Sequence, residues 1–487
     1  VGIDPDAELP VKLGPASNGE YLPQPLGPVE QEAIRRTRDA AARHARRLGI
    51  SRRAFLRSMG GAALMLGMLS ACHDEERRAR GGRPGGRYVT PTDPADGDAA
   101  DEALGGDEVI FDVQSHYLNF DLAAGGGFTG LAGLADAFPQ SRCGEEDRRA
   151  CFSVEYYLDL LFNQSDTTMA VCSAIPIPEQ VNPLRIDDME LARRLAERVC
   201  GDRRLLLHGG VQPTVGPPGA QIEGMARLVD EHRIAAWKVY THAPGPGWWL
   251  DDHEAGVPKV GAAFLDRVRE TGPRIVCIHK GFSGGSRFAS PEDIGPAARA
   301  NPDLRFVVYH SGFEAGVTEG PWTPETADVG VNRLITSLRQ AGVGPGDNVY
   351  AELGSTWWML MRNPTAAAHT LGKLLVAVGE DNVLWGTDSI WYGSPQDQIQ
   401  AFRAFEISEE LQDRYGYPAL TLQRKRKILG INAMRLHGVK DPPAAPCRFE
   451  RAALAAERAR IAPTSLTLGP RTAAEVDALL AAHGGLV

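Results

Sequence analysis

The chain has no excess of positive charge: 52 Lys and Arg stand against 62 Asp and Glu, for a net charge of −10. With no basic stripe in its central region either, it does not read as a nucleic-acid binder. The uncharged run from Ser58 to Ala71 falls short of the ~20 apolar residues that cross a bilayer. Between His73 and Asp107 large apolar residues are almost absent. That stretch is expected to bury too little surface to order itself and to act as a flexible tether. No Gly-rich phosphate loop follows the first strand-like run, which counts against an open nucleotide-binding sheet. Seven cysteines fit an oxidising compartment only loosely.

What is present begins with an address. Arg35, Arg36, Arg43, Arg46, Arg47, Arg52 and Arg53 gather ahead of the first apolar run. Ser51-Arg52-Arg53-Ala54-Phe55-Leu56-Arg57, followed by a run of signal length, resembles a twin-arginine export signal. Leu69-Ser70-Ala71-Cys72 resembles a lipoprotein cleavage box. The resemblance implies that Cys72 is lipidated and becomes the mature N-terminus, and that the protein is periplasmic or at the cell surface, held to the membrane. On this reading 1–50 is an N-terminal extension from a misassigned start, 51–72 the signal and 73–107 the linker. Cys143 and Cys151 flank a polar loop and are expected to pair; Cys172 and Cys277 lie in apolar runs and are expected to be free, buried thiols.

From Glu108 onward strand-like and helix-like stretches alternate. The strand candidates are Val109–Val113, Met169–Ile175, Leu205–Val211, Ala235–Tyr240, Arg274–Ile278, Arg305–Tyr309, Asn348–Leu353 and Val383–Gly386. Eight such units without a second sheet pattern predict a (β/α)₈ TIM barrel over 108–440. A peripheral helical tail is expected over 441–487, with Thr472-Ala473-Ala474-Glu475 as a capping box opening its last helix.

Chemistry in such a barrel sits at the carboxyl ends of the strands. There the sequence places Gln114 and His116, then Lys238, His279, His310, Glu352 and Gly386-Thr387-Asp388. So many buried polar groups on one mouth are costly unless paired or metal-bound. His279 and His310, Leu384-Trp385-Gly386-Thr387-Asp388 and Asn432-Ala433-Met434-Arg435-Leu436 resemble the amidohydrolase-related superfamily. The resemblance covers about Val109 to Gly438 and includes the branch of single-metal decarboxylases and hydrolases.

The resemblance implies one divalent metal, zinc or else manganese, on His116, His279 and Asp388. His310 would be the general acid/base, and Asp388 either a ligand or the acceptor of the water's proton. The family's first strand reads Asp-x-His-x-His, whereas Gln114 stands here at the first histidine position, which weakens the site and keeps a metal-free barrel in view. Glu352 is expected either to orient an imidazole or to pair with Lys238, and Lys238 to bind a substrate carboxylate or pair with Glu352. Trp357 and Trp391 are candidate substrate walls, along with Trp248, Trp249 and Trp358. The leading expectation is hydrolysis of a C–N or C–O bond in a small, ring-containing or carboxylated molecule. A decarboxylase or metal-free lactonase, and an inactive binding lipoprotein, are the alternatives. No partner other than a small substrate, the membrane and further copies of the chain is called for.

Overall fold

Short runs of β-branched and apolar residues, each followed by a helix, leave the backbone one economical way to satisfy its hydrogen bonds: parallel strands with crossover helices outside. The computed structural model, described for residues 9–119, 143, 145, 148–282, 285–443, 446–461, 473–474 and 476–477, takes that form. The strands are β1 Phe111–Ser115, β2 Met169–Ser173, β3 Leu205–Val211, β4 Ala236–Tyr240, β5 Ile275–His279, β6 Arg305–Tyr309, β7 Val349–Glu352 and β8 Val383–Leu384. They form one eight-stranded sheet in sequential order, every neighbour parallel. The cylinder closes where the Val113 amide donates to the Trp385 carbonyl (3.0 Å), Asp388 N to Gln114 O (2.8 Å) and His116 N to Ser389 O (2.6 Å). Each expected strand overlaps an observed one.

The Gly-Thr-Asp element is pinned by this closure. Asp112 Oδ1 accepts the amides of Gln114 (3.1 Å) and Thr387 (3.0 Å), and Oδ2 accepts the Thr387 hydroxyl. Gly386 is demanded by crowding, since a Cβ there would stand 1.7 Å from Glu352 Oε1.

The segments ahead of the barrel depart from expectation. Residues 73–107 are not a tether but part of the folded body. Gly86–Tyr88 pairs antiparallel with Phe405–Ile407, the Tyr88 hydroxyl donates to Met361 O at 2.6 Å, and the helix Gly97–Leu104 is capped by Asp96. A strand pairing and three buried anchors, Tyr88, Ala100 and Leu104, supply what the average composition conceals. The uncharged run continues as a helix, Met59–Ala79, that packs against the helix Pro28–Leu48 and buries Cys72. Among the described residues no helix is long and apolar enough to cross a membrane.

Residues 9–26 run across the barrel as well. Leu9, Val11 and Leu13 are buried, and between them Lys12 gives its backbone amide to Asp397 Oδ2 (2.6 Å) and its ammonium to Asp397 Oδ1 (2.7 Å) and Ser394 O (2.6 Å). A disulfide joins Cys143 to Cys151 as expected. A second, Cys200–Cys447, ties the end of the helix Ile186–Cys200 to the tail. Cys172 and Cys277 are free and buried. The expected capping box at Thr472 and Glu475 lies outside the described residues.

Candidate active site at the barrel mouth

Strand ends bring Gln114, His116, His279, His310 and Asp388 to a cavity of about 240 Å³, whose walls include Tyr240, Trp391, Ile175 and Ile177. The backbone around it is strained. His310 (φ 64°), Ser311 (54°), Ser355 (55°) and Asp388 (57°) are all non-glycine residues in the left-handed region. Each such residue costs roughly 1–3 kcal/mol and tends to persist where function demands it.

Asp388 is the hub. Oδ1 lies 3.1 Å from His116 Nε2 and accepts Gln114 Nε2 at 3.0 Å; Oδ2 accepts Ser355 Oγ at 2.5 Å and Asn18 Nδ2 at 3.0 Å. Burial opposes its ionisation, but the bond from His116, the electrostatic interaction with His310 and His116, and the bond from Ser355 hold its carboxyl below the usual range. The ring of His116 spends Nδ1 on the Ser173 carbonyl, 2.6 Å away. A carbonyl can only accept, so Nδ1 carries a hydrogen and Nε2 is the ring atom that faces Asp388. Nε2 and Asp388 Oδ1, 3.1 Å apart, are close enough to share a proton or a cation.

His310 is fixed the same way. Nδ1 donates to Gly354 O at 2.7 Å, and Nε2 accepts Gln114 Nε2 at 3.3 Å. Burial is the main cause that brings its pKa down to about 4, so the ring is neutral at neutral pH and Nε2 is a ready proton acceptor. Glu352 accepts the amides of His310 (3.0 Å) and Gly354 (2.5 Å) and is pushed up to about 8 chiefly by burial. It shapes the backbone on which His310 stands. Its expected alternative, a pair with Lys238, is not seen. The Lys238 ammonium is buried over the rings of Tyr309 (3.6 Å) and Tyr240 (4.3 Å), without a hydrogen-bond partner among the described residues. Burial brings it down to about 7.

His279 occupies another wall. Its Nε2 is 3.1 Å from Glu20 Oε1 and 3.2 Å from Gly281 O. The expected trio His116, His279 and Asp388 lines one cavity, yet His279 is bonded to Glu20 and not to Asp388. Among the described residues the group of ligand atoms within 4.8 Å of one another is Glu20, His242 and His279. Trp391 lines the cavity, but Trp357 does not. It is fully buried, donates to Gln398 O at 2.9 Å and packs edge-on against Phe402 and Phe405, because the helix that follows β7 turns it toward the outer helices. Trp248, Trp249 and Trp358 are likewise buried packing residues.

Asn18, Glu20, Tyr21, His242 and Ser355 were not singled out from the sequence. Ser355 could have been found three residues past Glu352; Glu20 carries no local signal at all. A divalent cation suits this donor set. The His116–Asp388 pair can share a cation, and Gln114 Oε1, His242 Nδ1 and His279 Nδ1 are buried without hydrogen-bond partners among the described residues.

Several solved structures align with part of the chain. An uncharacterized TIM-barrel protein from Bordetella bronchiseptica aligns at 14% identity and TM-score 0.43, over 68% of this chain and 98% of that one. A 5-carboxyvanillate decarboxylase from Novosphingobium aromaticivorans aligns at 16% and 0.40, over 68% and 96%. A 4-oxalomesaconate hydratase from Rhodopseudomonas palustris aligns at 14% and 0.41, over 72% and 98%. No curated protein matches the chain. The amidohydrolase family model matches residues 179–439, more than half of the sequence and six of the eight strands, and the chain belongs to that family.

Proposed function

We propose that the protein is a metal-dependent hydrolase that cleaves a C–N or C–O bond of a small, ring-containing substrate with water. The observation that carries this reading is the buried His116–Asp388 pair, whose facing atoms share a proton or a cation, next to a neutral His310 whose Nε2 accepts from Gln114. His116, His279 and Asp388 are the residues that would hold the ion, and two imidazoles with one carboxylate favour zinc. Such an ion supplies Lewis acidity and makes water acidic near neutral pH.

The chain's own groups do the rest. Asp388, kept as a carboxylate, accepts a proton from the attacking water. His310 Nε2 takes up the proton that Asp388 has accepted and returns it to the leaving atom, while the Gln114 amide orients both by donating toward each of them. Tyr240, Trp391 and the apolar stretch Ile175–Ile177 face the cavity and support a flat, compact substrate. The test is metal analysis of purified protein, followed by ester, amide and lactone panels with and without chelator. Activity that survives complete metal removal would overturn the reading. Gln114→His should tighten metal binding, since an imidazole nitrogen is the better ligand.

A further inference from the structure

His279 has company that the strand-end motifs do not provide. Glu20 arrives from the segment ahead of the barrel, and His242 from the turn two residues past β4. With His279, each offers one ligand atom within 4.8 Å of the other two. The imidazoles of His242 and His279 lie 4.9 Å apart between centroids, and both Nδ1 atoms are buried without a hydrogen-bond partner among the described residues. A ring nitrogen withdrawn from water and left unbonded is costly, and His279 turns its other nitrogen, Nε2, to within 3.1 Å of Glu20 Oε1, so the three groups together point to a missing positive partner.

Glu20 is built in. Its amide donates to Asn18 Oδ1 (3.0 Å), Asn18 Nδ2 donates to Glu20 Oε2 (2.7 Å) and to Asp388 Oδ2 (3.0 Å), and the Tyr21 hydroxyl meets that of Tyr392 at 3.0 Å. Upstream, the buried Lys12–Asp397 pair anchors the segment. The carboxylate is therefore held over His279 at both ends of its loop.

We propose that Glu20, His242 and His279 form a divalent-cation-binding group, so that residues outside the barrel supply a ligand to its mouth. Two nitrogens and a carboxylate oxygen suit a borderline ion such as zinc and leave a coordination position open. This rests on reading the mouth as a metal site.

The test is calorimetric titration of the metal-stripped full chain with Zn²⁺ alone, and separately with Mn²⁺, with bound metal counted by mass spectrometry. Wild type, Glu20→Gln, His242→Ala and Asp388→Asn are compared, each first shown by circular dichroism to be folded. Glu20→Gln and His242→Ala should each weaken binding roughly tenfold or more, at least the loss seen when an outer-shell partner is removed. His242→Ala guards against a folding defect in the Glu20 variant, because its Nδ1 makes no bond that could be lost. Unchanged affinity in either variant overturns the proposal. If Asp388→Asn alone weakens binding, the metal reading stands without Glu20. If wild type takes up neither ion, both readings fall together.

Discussion

Nδ1 of His310 is committed to the Gly354 carbonyl, which leaves Nε2 alone to take a proton in a ring held neutral by burial. His310→Ala is therefore expected to retain its metal, and to lower turnover by ~10²–10⁴-fold, the range for a lost general acid/base. Metal content and kcat measured on one preparation check both halves. Gly386 is constrained by its neighbour. Gly386→Ala sets a methyl against the Glu352 carboxylate, and should lower the thermal midpoint and disturb the Asp388 loop, because the buried carboxylate is tied to two amides and cannot step aside. An unchanged midpoint would show that the loop yields.

Elements outside the barrel are held on by apolar packing into the common core, a buried ion pair and a disulfide. Lys12→Ala would leave the Asp397 carboxylate buried without its ammonium, a loss expected to cost about 3–5 kcal/mol; urea unfolding compared with wild type measures it. The Cys200–Cys447 bond spans 247 residues, so Cys447→Ser should cost about 2–4 kcal/mol, with both disulfides visible by peptide mapping without reductant. The helix Met59–Ala79 raises a separate question, since its apolar run is also the stretch that resembles an export signal. We propose export on that resemblance, supported by the two disulfides. Cleavage before Cys72 would strip Asn18 and Glu20 from the mouth. The intact mass of the exported protein decides the matter, and a chain beginning at residue 72 would mean that Glu20 does not serve the mature enzyme.

At the scale of the whole molecule, sensitivity to acid follows from neutral imidazoles inside the barrel. His437, half-buried with both ring nitrogens out of water, is brought down to about 4 by burial, and His208, 5.2 Å from it between ring centroids, also lies well below its ordinary value because of burial. Both groups have a folded pKa below the unfolded one near 6.5. Their contribution is full above pH 6.5 and is lost as pH falls through the folded values. For His437 this amounts to roughly 3 kcal/mol once the pH is below about 4. The unfolding free energy should fall between pH 6.5 and 4, and His437→Phe should flatten that slope. An equal slope in the variant would assign it to other groups.

The eight strands, their parallel order and the polar residues at their carboxyl ends were legible in the linear chain. Alternation of β-branched runs with helices is a local property, and strand-end position follows from it. The Cys143–Cys151 pair was legible for the same reason, its partners being eight residues apart. Trp357 was misplaced because the direction of a side chain depends on which helix faces it. The segment 73–107 reads as a tether from composition alone, which averages over Tyr88, Ala100 and Leu104, whose burial depends on surfaces hundreds of residues away. Glu20 and Cys447 carried no signal at all: their partners His279 and Cys200 are separated from them by more than two hundred residues. Long-range pairs of this kind are settled only when the closed barrel brings the chain back on itself.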